Sequence, residues 1–173
     1  MNNKTDNQAL ISVYLPTCNR RPLLERAVDS VLRQSYQKLE LIVIDDCSTD
    51  DTAQYLTRVA AEDNRVVVLR NEQNQGACIS RNRAIEAARG SFITGLDDDD
   101  YFGLDRLQEF MRIWPQRGAD TIALTSARRR IHPDQSQTSH PGIPRVELKD
   151  HYLRNLVGSQ VFLATATARE LGG

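Results

Sequence analysis

The sequence predicts an α/β protein in which helices cover a mostly parallel central sheet. Short runs rich in Val, Ile and Leu, at residues 10–16, 39–45, 65–70, 91–96 and 120–125, have the length and composition of buried strands. Helical segments separate the first four runs, and parallel strands need such crossover connections. Polar and acidic clusters follow several of the runs, at the sheet edge where α/β proteins bind ligands.

Three helices are predicted between these strands. Residues 22–33 and 51–61 each place their apolar side chains on one stripe, as helices packed on a sheet do. Residues 77–89 form the third, which ends at Gly90, a residue type that commonly terminates helices.

We expect residues 1–173 to form a single domain, because a chain of this length with 40% hydrophobic residues can bury one core. The polar N-terminus, residues 1–9, is predicted to be a disordered tail. Residues 127–145 contain three prolines and no apolar periodicity, which predicts a long loop. Apolar segments return over residues 151–171 without a closing element, so we expect the domain to be truncated at its C-terminal end.

Charge and cysteine content exclude several classes. A net charge of −1 gives no basic field, so we expect no nucleic-acid partner. The three cysteines have neither disulfide-framework nor zinc-site spacing, which favours a reducing cytoplasm. No stretch approaches the roughly 18 apolar residues of a membrane span.

Four consecutive carboxylates, Asp97–Asp100, follow the fourth strand. They repel one another unless a cation or protons relieve them. Oxygen ligands at a few positions suit Mg²⁺ or Mn²⁺, which share their coordination with substrate phosphates. The alternative is that these acids cap a helix starting near Gly103, and we expect at least one of them to do so in any case.

Two further strand ends carry candidate binding residues. After the second strand, Asp45 and Asp46 can accept hydrogen bonds from a base or a ribose, while Asp50 or Thr49 can cap the next helix. Arg81 lies one turn into the third helix, where it is either a ligand-binding cation or a solvated helix residue.

The glycine motifs of two common nucleotide folds are missing. The chain has no GxGxxG after the first strand and no GxxxxGK[ST]. These absences argue against classical dehydrogenases and P-loop NTPases.

The strand-end motifs of this chain, taken together, resemble those of the family 2 glycosyltransferases. That family has the GT-A fold, a Rossmann-like α/β/α sandwich. The resemblance runs from about Ile11 to the end of the chain. Its elements are residues 12–20 (SVYLPTCNR), 24–34, 41–52 (LIVIDDCSTDDT), 74–84, 90–93 and 96–100 (LDDDD).

The resemblance implies a role for each matching residue. Pro16 and Thr17 would line a base pocket, Asp46 would contact the nucleoside, and Asp97 would lie near the ribose or donor sugar. The implied donor-binding residues are Pro16, Thr17, Asn19, Asp46, Arg81, Asp97 and Asp98, with Asp99 as the ligand of a divalent cation, Mn²⁺ or Mg²⁺. Asp98 or Asp100 could substitute in this register. The family's usual catalytic base follows a Gly-Gly-Phe-Asp-like stretch, so we expect it beyond Gly173 and assign no catalytic residue.

The implied function is metal-dependent, inverting transfer of a sugar from a nucleotide-sugar, with UDP as the family's commonest nucleotide. The acceptor would be a saccharide or a lipid-linked saccharide. The protein would lie in the cytoplasm or associate peripherally with the cytoplasmic face of a membrane. One alternative is a non-catalytic nucleotide-sugar-binding module. Another is a phospho-accepting signalling domain, because Asp45, Asp97, Thr125 and Lys149 occur in the order that such a domain requires.

Overall fold

The computed structural model describes residues 9–132, 134–140 and 160–172. Its strands are β1 (Ile11–Thr17), β2 (Leu39–Asp45), β3 (Val66–Arg70), β4 (Phe92–Gly95), β5 (Ala123–Leu124), β6 (Arg128–Ile131), β7 (Gln137–His140) and β8 (Phe162–Ala164). Its helices are α1 (Arg21–Leu32), α2 (Thr52–Glu62), α3 (Ala77–Ala87), α4 (Arg106–Ile113) and α5 (Thr165–Glu170), with a 3₁₀ turn at Trp114–Gln116.

Six of these strands form a central sheet in the order β3-β2-β1-β4-β8-β5. β1 pairs in parallel with β2 and β4, and β2 pairs in parallel with β3. β8 lies antiparallel between β4 and β5. The predicted mostly parallel α/β sheet is therefore confirmed. The strand expected over residues 120–125 is shorter than predicted, because only Ala123 and Leu124 find partners on β8.

The sheet has a helix layer on each face. On β1, Val13 and Leu15 point to a core shared with α1, α2 and α4, while Tyr14 points to the other face. That second core is formed with α3 and α5, through residues such as Ile85 and Ala168. The α/β/α arrangement leaves the carboxyl ends of β1, β2 and β4 at one edge.

The region predicted as a long loop, residues 127–145, contains a hairpin. β6 and β7 pair antiparallel around a turn closed by the His132 N–H to the Ser136 carbonyl at 2.9 Å. The irregular-loop prediction was therefore wrong for residues 128–131 and 137–140. All eight residues are exposed, so the hairpin has no apolar alternation for sequence analysis to detect. Residues 141–145 and most of the predicted tail, residues 1–8, lie outside the described residues.

The prediction that one of Asp97–Asp100 caps a helix near Gly103 was wrong. α4 begins at Arg106, and its first-turn partner is the buried side chain of Gln34, which follows the end of α1. The Gln34 amide oxygen accepts from Leu107 N–H at 3.0 Å, and its amide nitrogen donates to the Gly103 carbonyl at 2.7 Å. At α2, the N-cap is Asp51, which makes no side-chain capping bond, rather than the predicted Asp50 or Thr49. The Asp50 carboxylate still accepts from the N–H of Thr52, the first residue of the helix, at 3.0 Å.

Glu40 is a buried carboxylate at the sheet edge opposite the acidic motifs. It accepts hydrogen bonds from the Ser12 hydroxyl at 2.6 Å and from the backbone and guanidinium of Arg89 at 2.7 and 2.8 Å. Burial raises the pKa of Glu40, but these hydrogen bonds outweigh it and hold the pKa below its ordinary value. A depressed pKa contributes stability above the unfolded-state pKa, and that stability is lost as the pH falls through the folded-state pKa.

We therefore expect Glu40→Gln to lower the free energy of unfolding at pH 7 by about 1–3 kcal/mol. The difference from the unsubstituted protein should shrink below about pH 4.5, the ordinary value for this carboxyl. Urea denaturation at several pH values measures both effects. Glu86→Gln, at an exposed position on α3, is the matched control. A pH-independent difference between the two proteins would contradict the assignment.

Candidate functional site

A cavity of about 390 Å³ lies at the carboxyl ends of β1, β2 and β4. Its lining residues are Pro16, Thr17, Cys18, Arg20, Asp46, Ala77, Arg81, Asp97, Asp98 and Asp99. All the donor-binding residues implied by the family resemblance except Asn19 line this cavity, and so does the implied metal ligand Asp99. The topology explains this, because parallel neighbours end at the same edge. Asp45 and Asp100, which the sequence also offered as candidates, are not among the lining residues.

Asp46 joins the end of β2 to the start of α3. Its carboxylate accepts from the Asn71 side-chain amide at 2.6 Å and from the backbone N–H groups of Gln75 and Gly76 at 2.9 and 2.8 Å. Gly76 has a φ of +84°, which favours glycine and allows its N–H to face the carboxylate. Burial raises the pKa of Asp46, but these donors together hold it below its ordinary value. Asp46 is therefore an anion that shapes the cavity wall.

Arg81 is not a solvated helix residue. Its guanidinium donates to the Asp97 carboxylate at 2.7 Å, and both side chains are partly buried. Tyr14 interacts electrostatically with both charges: burial raises the pKa of Tyr14, while Arg81 opposes and Asp97 reinforces the shift. The ion pair thus links α3 to the acidic motif after β4.

The four acids of that motif differ sharply in environment. Asp98 is buried and accepts from the Thr17 hydroxyl at 2.9 Å and from Arg20 at 3.1 Å. Asp99 is 57% exposed, with a carboxylate oxygen 3.6 Å from Arg20. Desolvation and the charges of Asp99 and Asp97 raise the pKa of Asp100, whose carboxylate accepts from Gln160. The charges of Asp99 and Asp97 thus oppose ionisation of Asp100, whereas the other three acids lie beside the guanidinium groups of Arg20 and Arg81.

The cavity offers oxygen ligands suited to Mg²⁺ or Mn²⁺. Within residues 9–132, 134–140 and 160–172, no three His, Cys, Asp or Glu side chains cluster as a complete metal site. Such a cluster is not required, because Mg²⁺-type sites often use one or two carboxylates together with substrate phosphates. Asp99 and Asp97 both face the cavity and provide that number.

The model of Glycosyl transferase family 2 matches residues 12–169 of this chain. The chain belongs to that family. The match covers every strand and helix that bounds the cavity. Family membership also overturns the alternative of a phospho-accepting signalling domain. Asp45 is unsuited to that role, because its buried carboxylate already accepts hydrogen bonds from Arg70 at 2.7 Å and from Ser48 N–H at 2.8 Å.

Two relatives of this family 2 chain illustrate the sequence similarity. A glycosyl transferase of Escherichia coli (strain K12) named for colanic acid biosynthesis, WcaA, is 39% identical over 90% of this chain and 57% of its own length. The GalNAc(5)-diNAcBac-PP-undecaprenol beta-1,3-glucosyltransferase of Campylobacter jejuni is 41% identical over 52% of this chain and 29% of its own. The chain therefore spans only about a third to a little over half of these relatives.

Solved structures show the same fold. The mannosyltransferase PcManGT from Pyrobaculum calidifontis, in complex with GDP-Man and Mn²⁺, matches 97% of this chain and 48% of its own with a TM-score of 0.71 at 20% identity. S. aureus TarS 1–349, in complex with UDP-GlcNAc, matches 93% of this chain and 47% of its own with a TM-score of 0.69 at 22% identity. The family 2 chain has the GT-A fold, as the sequence resemblance implied.

Asn19 lies outside the cavity lining of this family 2 chain. Its amide oxygen accepts from Thr49 N–H at 2.7 Å and Asp50 N–H at 3.2 Å, and its own N–H donates to the Ser48 hydroxyl at 2.9 Å. The structure therefore gives Asn19 a bracing contact between two strand-end turns. Direct contact between Asn19 and a donor stays a prediction.

Three cavity-lining residues of the family 2 chain were not predicted from the sequence to bind a ligand: Cys18, Arg20 and Ala77. Cys18 and Arg20 lie in the polar stretch directly after β1, so their position was itself a signal.

No helix in the described parts of the chain is both long and apolar enough to cross a membrane.

Proposed function

We propose that this chain binds a nucleotide-sugar together with a divalent cation, for transfer of the sugar to a saccharide or lipid-linked saccharide acceptor. The observation that carries the proposal is the single cavity at the carboxyl edge of β1, β2 and β4, where Asp46, Asp97 and Asp99 converge. Family membership supports it, and so does the nucleotide-sugar in each of the two complexes of similar fold.

The nucleoside would bind between Pro16, Thr17 and Asp46. Hydrogen bonds from Asn71, Gln75 and Gly76 fix the Asp46 carboxylate, two of them on one oxygen and one on the other. We propose that the oxygen bonded to Gly76 N–H also accepts from a base N–H or a ribose hydroxyl. Because its donors also fix the start of α3, the same carboxylate would orient the helix that carries Arg81. Arg81 in turn fixes Asp97 beside the donor.

The diphosphate would lie near Asp99, which we propose as the ligand of Mn²⁺ or Mg²⁺. Bound there, the cation supplies positive charge that stabilises the departing nucleoside diphosphate. In an inverting displacement, an acceptor oxygen bonds to the anomeric carbon as the bond to the diphosphate breaks, and the acceptor proton passes to a base. We assign no residue of this chain as that base.

For the donor nucleotide we propose UDP, and for the acceptor a lipid-linked saccharide. TarS 1–349 was solved in complex with UDP-GlcNAc, and the name of the Campylobacter jejuni relative specifies a saccharide linked to PP-undecaprenol. Such an acceptor would place the protein at the cytoplasmic face of a membrane, in peripheral association.

The testing experiment is calorimetric titration of the chain with UDP, GDP and UDP-GlcNAc, each with Mn²⁺ and with EDTA. We expect UDP to bind in Mn²⁺ and at least about tenfold more weakly in EDTA, since the cation bridges protein carboxylates and phosphates. Tighter binding of GDP would replace the UDP assignment. Failure of all three ligands to bind would overturn the proposal.

A further inference from the structure

Arg20 extends from the turn between β1 and α1 into the cavity. Its Nη1 atom lies 3.1 Å from an oxygen of buried Asp98 and 3.6 Å from an oxygen of exposed Asp99. The Arg20 side chain is itself 53% exposed. It therefore brings a permanent positive charge beside the carboxylate proposed to hold the cation.

The backbone that carries Arg20 is tightly fixed. The preceding residue, Asn19, has a φ of +55°, an uncommon conformation that persists when surrounding contacts enforce it. Those contacts are the hydrogen bonds of Asn19 to Ser48, Thr49 and Asp50. Arg20 is thus directed toward the acidic motif by a braced turn.

Asp98 orients the Arg20 guanidinium. One Asp98 oxygen accepts from the Thr17 hydroxyl and the other from Arg20, so both oxygens of this buried carboxylate are engaged within the protein. Arginine has five N–H donors. Within the described ranges, side-chain hydrogen bonds engage only the Nη1 atom of Arg20, so the other guanidinium donors of this half-exposed, cavity-lining side chain are available to a ligand.

We infer that Arg20 binds the diphosphate of the donor directly, with Asp98 as its positioning residue; this inference rests on the proposed function. A guanidinium is well matched to phosphate oxygens, which it can contact through paired N–H groups. Arg20 holds Asp99 until a diphosphate arrives and then shares its charge with that ligand. Its contribution to binding does not depend on the cation.

The test compares UDP with uridine, which lacks phosphates. Arg20→Ala should weaken UDP binding by about tenfold to a hundredfold, both in Mn²⁺ and in EDTA, because charged hydrogen bonds to phosphate are lost. Uridine binding, followed by ligand-observed NMR, should remain within about twofold. Arg20→Lys, which keeps the charge but not the fork of donors, should lose less than Arg20→Ala.

Arg33→Ala is the matched control, since Arg33 is 75% exposed on the far end of α1 and pairs with Asp29 on the same helix. Equal losses of UDP and uridine in Arg20→Ala would overturn the inference, because they would show that Arg20 only shapes the cavity. Unchanged UDP affinity would also overturn it. If the unsubstituted chain bound neither UDP nor GDP, the proposed function itself would fail.

Discussion

Asp99→Ala is expected to abolish the Mn²⁺-dependent part of UDP binding and to lower sugar transfer at least a hundredfold. A carboxylate that holds the cation contributes several kcal/mol to stabilising the leaving diphosphate, and each ~1.4 kcal/mol changes the rate about tenfold. Calorimetry with and without Mn²⁺ measures binding, and release of nucleotide from the donor measures transfer. UDP binding in EDTA should not weaken, because in the proposed site Asp99 contacts the nucleotide only through the cation, and its removal frees Arg20 from a neighbouring negative charge.

Asp105→Ala provides the matched control for Asp99→Ala. Asp105 is an exposed carboxylate at the N-cap of α4, makes no side-chain capping bond and lies outside the cavity lining. Near-normal transfer by Asp99→Ala would refute the metal role. Loss of Mn²⁺ dependence in Asp100→Ala instead would move the metal ligand by one position, an ambiguity that four consecutive acids create.

Asp46→Ala is expected to remove nucleotide binding in both Mn²⁺ and EDTA and also to destabilise the fold. Without this carboxylate, the buried Asn71 amide loses one of its two acceptors, and the N–H groups of exposed Gln75 and partly buried Gly76 lose theirs. A lost hydrogen bond of a buried group costs about 1–3 kcal/mol, whereas water can replace the acceptor of an exposed N–H, so we expect the free energy of unfolding to fall by about 1–3 kcal/mol. Urea denaturation measures the loss of stability. UDP titration under conditions where the variant is still folded measures the loss of nucleotide binding separately.

Asp46→Asn distinguishes a binding role from a structural one. The amide keeps one oxygen acceptor and the side-chain shape, so it should recover part of the stability but little of the UDP affinity. Asp51→Ala removes a 58% exposed carboxylate nearby and serves as the control. Full UDP affinity in a folded Asp46→Asn protein would show that this carboxylate only supports the cavity wall.

Apolar runs predicted the parallel half of the sheet well. β1 and β2 are buried along their whole length, so their Val, Ile and Leu content is visible in sequence. β5 was predicted from its apolar run, but only two of its residues pair in the sheet. β8 was not predicted, because it has three residues and depends on pairing across the sheet rather than on a long apolar run. The Gln34 contact with α4 was equally invisible, because it joins residues that are distant in sequence.

The candidate site was predictable as a place but not as a set of contacts. Residues after parallel strands converge at one edge whatever their identity, so the sequence located Asp46 and Asp97–Asp99. It could not separate buried Asp98 from exposed Asp99, because neighbours in sequence differ here only through tertiary contacts. The direction of the Arg20 side chain was not predictable for the same reason, because its contacts with Asp98 and Asp99 join residues that are distant in sequence.

The position of β8 has a consequence for how the chain folds during synthesis. β8 lies between β4 and β5 in the sheet but follows both in sequence. One edge of β4 therefore stays unpaired until residues 162–164 have emerged from the ribosome, and an open strand edge is a template for aggregation. The late, long-range insertion of β8 should limit the folding rate and make nascent chains that lack it depend on chaperones.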